Sequence, residues 1–80
     1  MIVDAIGREL KPYDFVVHYG KYHRGETKDY PTLKISQVVK IKGDMISIKG
    51  VAILGPEGVE PYEGLRLSAI AGHRTLRMEY

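Results

Sequence analysis

Apolar and polar residues alternate most regularly in the middle of the chain. From Leu33 to Lys42 the odd positions are mostly apolar and the even positions mostly polar, which is the period of a half-buried β-strand. The pair Gly43-Asp44 then supplies a two-residue turn with glycine first, as a type II′ turn prefers. Met45 to Lys49 is therefore predicted to return as the second strand of a hairpin.

This hairpin predicts which side chains share a face of the sheet, because residues directly opposite each other point the same way. The predicted apolar pairs are Ile41 with Ile46 and Val39 with Ile48. Lys40 then lies opposite Ser47 on the polar face, and the same alternation adds Lys34 and Lys42 to that face.

Shorter apolar runs predict the remaining strands. Phe15 to Tyr19 is rich in β-branched and aromatic residues and is predicted to be the first strand. Val51 to Leu54 is predicted to be a short buried strand, with Gly50 forming a bulge or a bend before it. Residues 55–64 contain three glycines and two prolines, which predicts a loop.

The two ends of the chain are interpreted from weaker patterns. Residues 4–10 are expected to form a turn in which Ile6 and Leu10 cap the core. Near the C-terminus, a turn at Gly72-His73 would close a second hairpin, although a short helical turn over residues 65–71 is the competing interpretation. The cross-strand pairs of that hairpin are Leu67 with Met78 and Ala69 with Leu76.

These elements predict one domain over residues 1–80, mainly β, in the form of a small antiparallel barrel. About five short strands are expected, with a long loop after the first strand. Residues 4–17, followed by the strand through residues 37–41, resemble the SH3-like barrels of the KOW and Tudor kind, including those found among phage-encoded accessory proteins. Tyr13 stands before Asp14 where such barrels usually have glycine. The resemblance implies a binding module without catalytic machinery.

Composition limits the classes of protein and the cellular compartments that fit the chain. The chain has no cysteine, which excludes a disulfide scaffold and favours a reducing cytoplasm, and no apolar stretch is long enough to cross a bilayer. Its 12 Lys and Arg against 10 Asp and Glu give a net charge of only +2, so charge alone does not indicate nucleic-acid binding. Because an 80-residue core is small, a homodimer that covers a strand edge is compatible with the sequence.

The predicted loop of residues 18–30 is the best candidate contact surface. Its cations could neutralise phosphates, and its aromatic rings could stack on exposed bases of single-stranded RNA or DNA. The candidate residues are Tyr19, Lys21, Tyr22, His23, Arg24, Lys28 and Tyr30. The alternative is a solvated loop whose tyrosines pack on the core and whose charge Glu26 and Asp29 dilute.

Lys40 and Lys42 extend this positive set along the neighbouring strand. A row of lysines can follow a phosphate backbone, but lysine on an exposed strand also prevents association between sheet edges, which is the commoner role. His18, His23 and Asp29 match no strong metal-ligand pattern, so metal binding stays a minor alternative and no cofactor is expected. No catalytic motif is present, and Glu57, Glu60 and Glu63 lie among glycines and prolines.

Two functions of different class follow from these features. The first is a nucleic-acid-binding accessory protein that uses the Tyr, Lys and Arg loop. The second is a protein-binding module, such as a small inhibitor or adaptor of a larger enzyme, that docks through a sheet edge, the aromatic loop or the acidic segment of residues 57–63. The sequence favours the first slightly because aromatic and cationic residues share one segment.

Overall fold

The computed structural model describes residues 1–23, 29–55, 57–61 and 67–79, with only the backbone described for residues 21–23 and 29–31. These residues form an elongated all-antiparallel β protein with dimensions of 40 × 23 × 17 Å. Its strands are β1 (Phe15–His23), β2 (Asp29–Lys42), β3 (Met45–Gly55), β4 (Gly58–Pro61), β5 (Leu67–Ala71) and β6 (Thr75–Arg77). A single 3₁₀ turn, Gly72–Arg74, connects β5 to β6.

The six strands form one sheet with the order β4-β3-β2-β1-β6, and β5 pairs with the first half of β3. The expected antiparallel β class is confirmed. The expected barrel is not closed, because no ladder among the described residues joins β6 to β4 or β5. The expected short strands are also wrong in part, since β2 has 14 residues and β3 has 11.

The long loop predicted over residues 18–30 is another point at which the structure differs from the prediction. β1 continues to His23, β2 already begins at Asp29, and these two residues are partners in the ladder. Most of residues 18–30 therefore extend the sheet. Alternation beyond Tyr19 is interrupted by Gly20, which is why the sequence did not indicate a longer strand.

The central hairpin is confirmed with one change of register. Gly43 has φ 62°, as the glycine-first turn requires, and Ile41 pairs with Ile46 as predicted. Val39, however, is an extra residue of β2, so Val38 rather than Val39 pairs with Ile48. This bulge explains why Val38 is 0% exposed and Val39 is 40% exposed.

A second bulge lies in β3, where Val51 is the extra residue between the pairs Ile35 with Ala52 and Ser36 with Gly50. It joins the two runs that the sequence divided at Gly50 into one strand. Part of the predicted loop of residues 55–64 is strand as well, because Gly58–Pro61 pair with the end of β3. Long-range pairing overrides the local signal of glycine and proline here.

The predicted C-terminal hairpin is wrong. β5 pairs with β3, β6 pairs with β1, and Gly72-His73 belong to the 3₁₀ turn between them. The N-terminal prediction is half right, because Leu10 is 2% exposed whereas Ile6 is 68% exposed. Ile2 takes the place in the core that Ile6 was expected to fill, since the backbone of Leu10 bonds to Ile2 in a small hairpin.

One face of the sheet, here called the inner face, carries the core. Six buried apolar residues form it, with Ile41 and Ile70 packed against them. They are Ile2, Leu10, Val16, Val38, Ile46 and Ile48. The core lies toward the hairpin turn of Gly43-Asp44, and the opposite part of the sheet, residues 17–23, 29–35, 51–55 and 58–61, is here called the arm.

Candidate binding surface

The residues predicted to form a binding site are distributed over the sheet. Tyr19 lies on the outer face of β1 and is 66% exposed, and Lys40 and Lys42 are exposed on β2. Lys21, Tyr22 and His23 belong to β1 and Tyr30 to β2, but their side chains lie outside the described part. The predictions for Arg24 and Lys28 fall entirely outside the described residues.

The predicted row of lysines is divided between the two faces. Lys34 pairs with His18 and so lies on the inner face, where its side chain covers Gly20. Beyond the extra residue Val39 the alternation changes, and Lys40 and Lys42 lie on the outer face. Lys49 of β3 shares that outer face, because it pairs with Gln37 and Leu67.

The outer face of the arm carries apolar side chains in two adjacent rows that cross the strands. Val17 pairs with Leu76 on one side and with Ile35 on the other, and Ile35 pairs with Ala52. We call the two rows together the apolar band. They consist of Leu76, Val17, Ile35 and Ala52, and of Tyr19, Leu33, Leu54 and Val59.

The second row is exposed to solvent across four strands. Tyr19 pairs with Leu33, and Leu54 pairs with Val59, so neighbouring apolar side chains are in register. Leu54 is 46% exposed and Val59 is 64% exposed. Contiguous exposed apolar surface on a soluble protein marks an interaction site more often than scattered apolar residues do.

The signal for this band was in the sequence, but it was assigned to the core. Leu33 and Ile35 belong to the same odd-numbered apolar series as Ile41, which suggested one buried face. The bulge at Val39 separates the series, so that Ile41 faces inward and Leu33 and Ile35 face outward. The signal that could have indicated the bulge is a polar odd position, Gln37, followed by an apolar even position, Val38.

The described side chains of the outer face carry charge of one sign. The cations are Lys40, Lys42 and Lys49, and no strand residue with a described side chain on this face is acidic. Glu60, the acidic residue of β4, pairs with the inward-facing Ile53 and lies on the inner face. The apolar band is therefore bordered by positive charge toward the core end of the sheet.

The inner face of the arm is mainly polar, with Ile53 as a buried apolar residue. The imidazole Nε2 of His18 and the hydroxyl of Ser36 are 2.8 Å apart in a hydrogen bond, and both side chains are buried. Burial lowers the pKa of His18, and the positive charges of Lys34 and Arg74 lower it further. His18 is thus held neutral against Ser36, and neither side chain is exposed to a ligand.

A second buried polar group fixes the N-terminal segment, which is residues 1–14 before β1. The carboxylate of Asp4 accepts hydrogen bonds from the backbone of Ile6, Arg8 and Arg77, and from Arg8 Nε at 2.9 Å. Burial acts to raise the pKa of Asp4, but these hydrogen bonds outweigh it and hold the pKa below its usual value. Asp4 therefore connects β6 to the segment that carries Ile2 and Leu10.

Other classes of site find no support in the described residues. There, no group of three or more His, Cys, Asp or Glu side chains is arranged to hold a metal ion. Within the same residues, no helix has the length and apolar character needed to span a membrane.

Comparison of the chain with family models, curated proteins and solved structures found no match. Fold and surface define a small all-antiparallel β protein with an apolar band on one sheet face.

Proposed function

We propose that this protein is a non-catalytic binding module whose contact surface is the apolar band. The observation that carries the proposal is the row of Tyr19, Leu33, Leu54 and Val59, in which exposed apolar side chains are aligned across four strands. Keeping such a row in water is unfavourable, and covering it with a ligand recovers the hydrophobic free energy.

A protein is the ligand that this surface favours. Three members of the exposed row are aliphatic, and aliphatic side chains offer neither a stacking face nor a hydrogen bond to a base. Protein interfaces, by contrast, combine an apolar centre with a charged rim. Tyr19 at one end of the row and the lysines beyond the band match that composition.

Nucleic-acid binding is the second candidate, and Tyr19 supports it. An exposed tyrosine on the same face as Lys40, Lys42 and Lys49 provides both a stacking surface and phosphate-binding groups. This candidate uses a minority of the exposed side chains, because Leu33, Leu54 and Val59 would stay uncovered.

We also propose that this sheet is a variant of the SH3-like arrangement. The order β5-β3-β2-β1-β6 and the 3₁₀ turn between β5 and β6 support it. In this proposal β4 and the extended ends of β1, β2 and β3 are an addition to that arrangement, and the addition is the part that carries the exposed row.

Selection from a displayed library of random dodecapeptides on the immobilised protein tests the proposed function. Each enriched peptide is then measured by fluorescence anisotropy against Leu54→Ser, Val59→Ser and the matched control Ile6→Ser. Ile6 is as exposed as Val59 but lies in the N-terminal segment, outside the sheet. We expect the two band variants to weaken binding about tenfold each, and Ile6→Ser to leave it unchanged.

Two results would contradict the proposal. The first is a set of peptides that bind Leu54→Ser as tightly as the unchanged protein. The second is an empty selection together with salt-sensitive binding of labelled single-stranded RNA or DNA, which would establish the nucleic-acid function instead.

A further inference from the structure

We infer that the partner covers the apolar band with an acidic amphipathic helix. This inference rests on the proposed function and adds the chemistry of the partner to it. Three properties of the described surface carry it: the length of the band, the sign of the charge beside it, and the lack of carboxylates among the described side chains of the same face.

The band has the dimensions of a short helix. It crosses five strands, from Leu76 on β6 to Val59 on β4, and four inter-strand spacings amount to about 19 Å. At a rise of about 1.5 Å per residue, a helix of about 13 residues covers that length. Two rows of side chains, about 7 Å apart along the strands, match the width of one apolar helix face.

A helix would also supply the second layer that the outer face of this sheet lacks among the described residues. Sheets bury an apolar face against a second layer, which is a helix or another sheet. The described residues contain no α-helix, so they do not supply that layer for the outer face. A helix from another molecule would complete a two-layer arrangement.

The lysines beside the band predict that the bound helix is acidic. Lys49 lies in the row next to the band, one step from Ile35 through its partner Gln37. Lys40 and Lys42 follow in successive rows farther from the band. Glutamates on the flank of a bound helix would face Lys49 at close range, Lys40 at longer range and Lys42 at the longest range, with attraction that decreases in that order.

A second copy of this chain is the competing occupant, and it fits less well. Two copies meeting through the same face would present the same described residues to each other, and no described side chain on the strands of that face is acidic. The lysines of one copy would then lack a described partner on the other. An acidic helix supplies that partner.

Three fluorescein-labelled helical peptides of about 13 residues test the inference by anisotropy. One has leucine on one face and glutamate on the flanks, the second has lysine in place of glutamate, and the third has serine in place of leucine. We expect the acidic leucine peptide to bind about tenfold more tightly than the basic one, and the serine peptide not to bind.

Charge reversal at the three lysines gives the decisive readout. We expect Lys49→Glu to weaken the acidic peptide about fivefold and to strengthen the basic one, with a smaller effect for Lys40→Glu and the smallest for Lys42→Glu. Lys11→Glu is the matched control, because Lys11 is an exposed lysine of the N-terminal segment. It should change neither peptide.

Failure of the inference is distinguishable from failure of the proposed function. Equal binding of the acidic and basic peptides, lost in Leu54→Ser, would overturn the acidic helix and leave the binding function in place. No binding of the acidic peptide would overturn the inference, and the library selection would still decide the function. A dimer in sedimentation velocity that Leu54→Ser converts to monomer would assign the band to a second copy instead.

Discussion

The core end and the arm of this sheet distribute apolar and polar residues in opposite ways. Around Val38 and Ile46 the inner face is apolar and buried, and the outer face carries Lys40 and Lys42. In the arm the outer face carries Leu33 and other apolar residues, and the inner face carries Lys34 and His18 beside the buried Ile53.

Two bulges produce this inversion in β2 and β3. Val39 in β2 and Val51 in β3 each add one residue, and relative to strict alternation one extra residue moves the following side chains to the other face. The same continuous strands therefore serve two purposes. Their core end stabilises the fold, and their arm presents apolar side chains outward for a partner.

A charge on either side of the bulge breaks the comparison most strongly. Val38 is 0% exposed on the inner face, so Val38→Lys would bury an ammonium group, at a cost comparable with a total stability of about 5–15 kcal/mol. We expect no cooperative transition in urea monitored by circular dichroism. Val39 is 40% exposed as the extra residue, so Val39→Lys should unfold cooperatively, within about 1 kcal/mol of the unchanged protein. Equal behaviour of the two variants would contradict the register at the bulge.

Truncation of matched aliphatic residues compares the two ends directly. Ile46 is 0% exposed in the core, so Ile46→Ala should lower the free energy of unfolding by about 2–5 kcal/mol. Leu54→Ala in the arm should change it by about 0.5 kcal/mol or less. Equal losses in urea titrations of the two variants would show that the band belongs to the core.

Asp4→Asn tests how much the hydrogen bonds to the Asp4 carboxylate stabilise the core end. The amide cannot accept all the hydrogen bonds that the carboxylate accepts, so we expect a loss of about 2–3 kcal/mol at pH 7 in urea titrations. Because the pKa of Asp4 is lowered on folding, its contribution is complete above pH 3.8 and decreases as the pH falls toward the folded pKa. An acid-induced loss of equal size in Asp4→Asn would contradict this role.

His18 gives a smaller, pH-dependent effect. Its pKa is lowered on folding from 6.5, so the unfolded chain binds the proton first, and stability should decrease as the pH falls below 6.5. Above that pH both states are neutral and the effect disappears. Urea titrations between pH 5 and 8 should show less pH dependence in His18→Gln, whereas the exposed control His73→Gln should resemble the unchanged protein. Identical profiles for His18→Gln and the unchanged protein would exclude His18 as the origin.

The parts of the fold that the sequence predicted are those that depend on neighbours in the chain. Gly43-Asp44 and the residues beside it determine the central hairpin locally. The pairing of β5 with β3 and of β6 with β1 depends on contacts distant in sequence, which local alternation does not contain. The outer band was missed because Val39 continues the odd-numbered apolar series across the bulge, although Gln37 and Val38 depart from that series.

The same difference between local and long-range information applies to the candidate site. Tyr19 was identified from residue type, and Lys40 and Lys42 from residue type together with the predicted hairpin register; the structure places all three on the outer face. Leu54 and Val59 were assigned to a buried strand and to a loop, because nothing near them in the chain indicates that β3 and β4 pair at the edge of the sheet.

The central claim is that the arm presents its apolar band for binding. The most direct test is an NMR titration of the isotope-labelled protein with the tightest peptide from the library. We predict that the backbone amides of Tyr19, Leu33, Leu54 and Val59 shift most, and that those of the N-terminal segment stay in place. Shifts concentrated in residues 2–10, with the band unchanged, would contradict the claim.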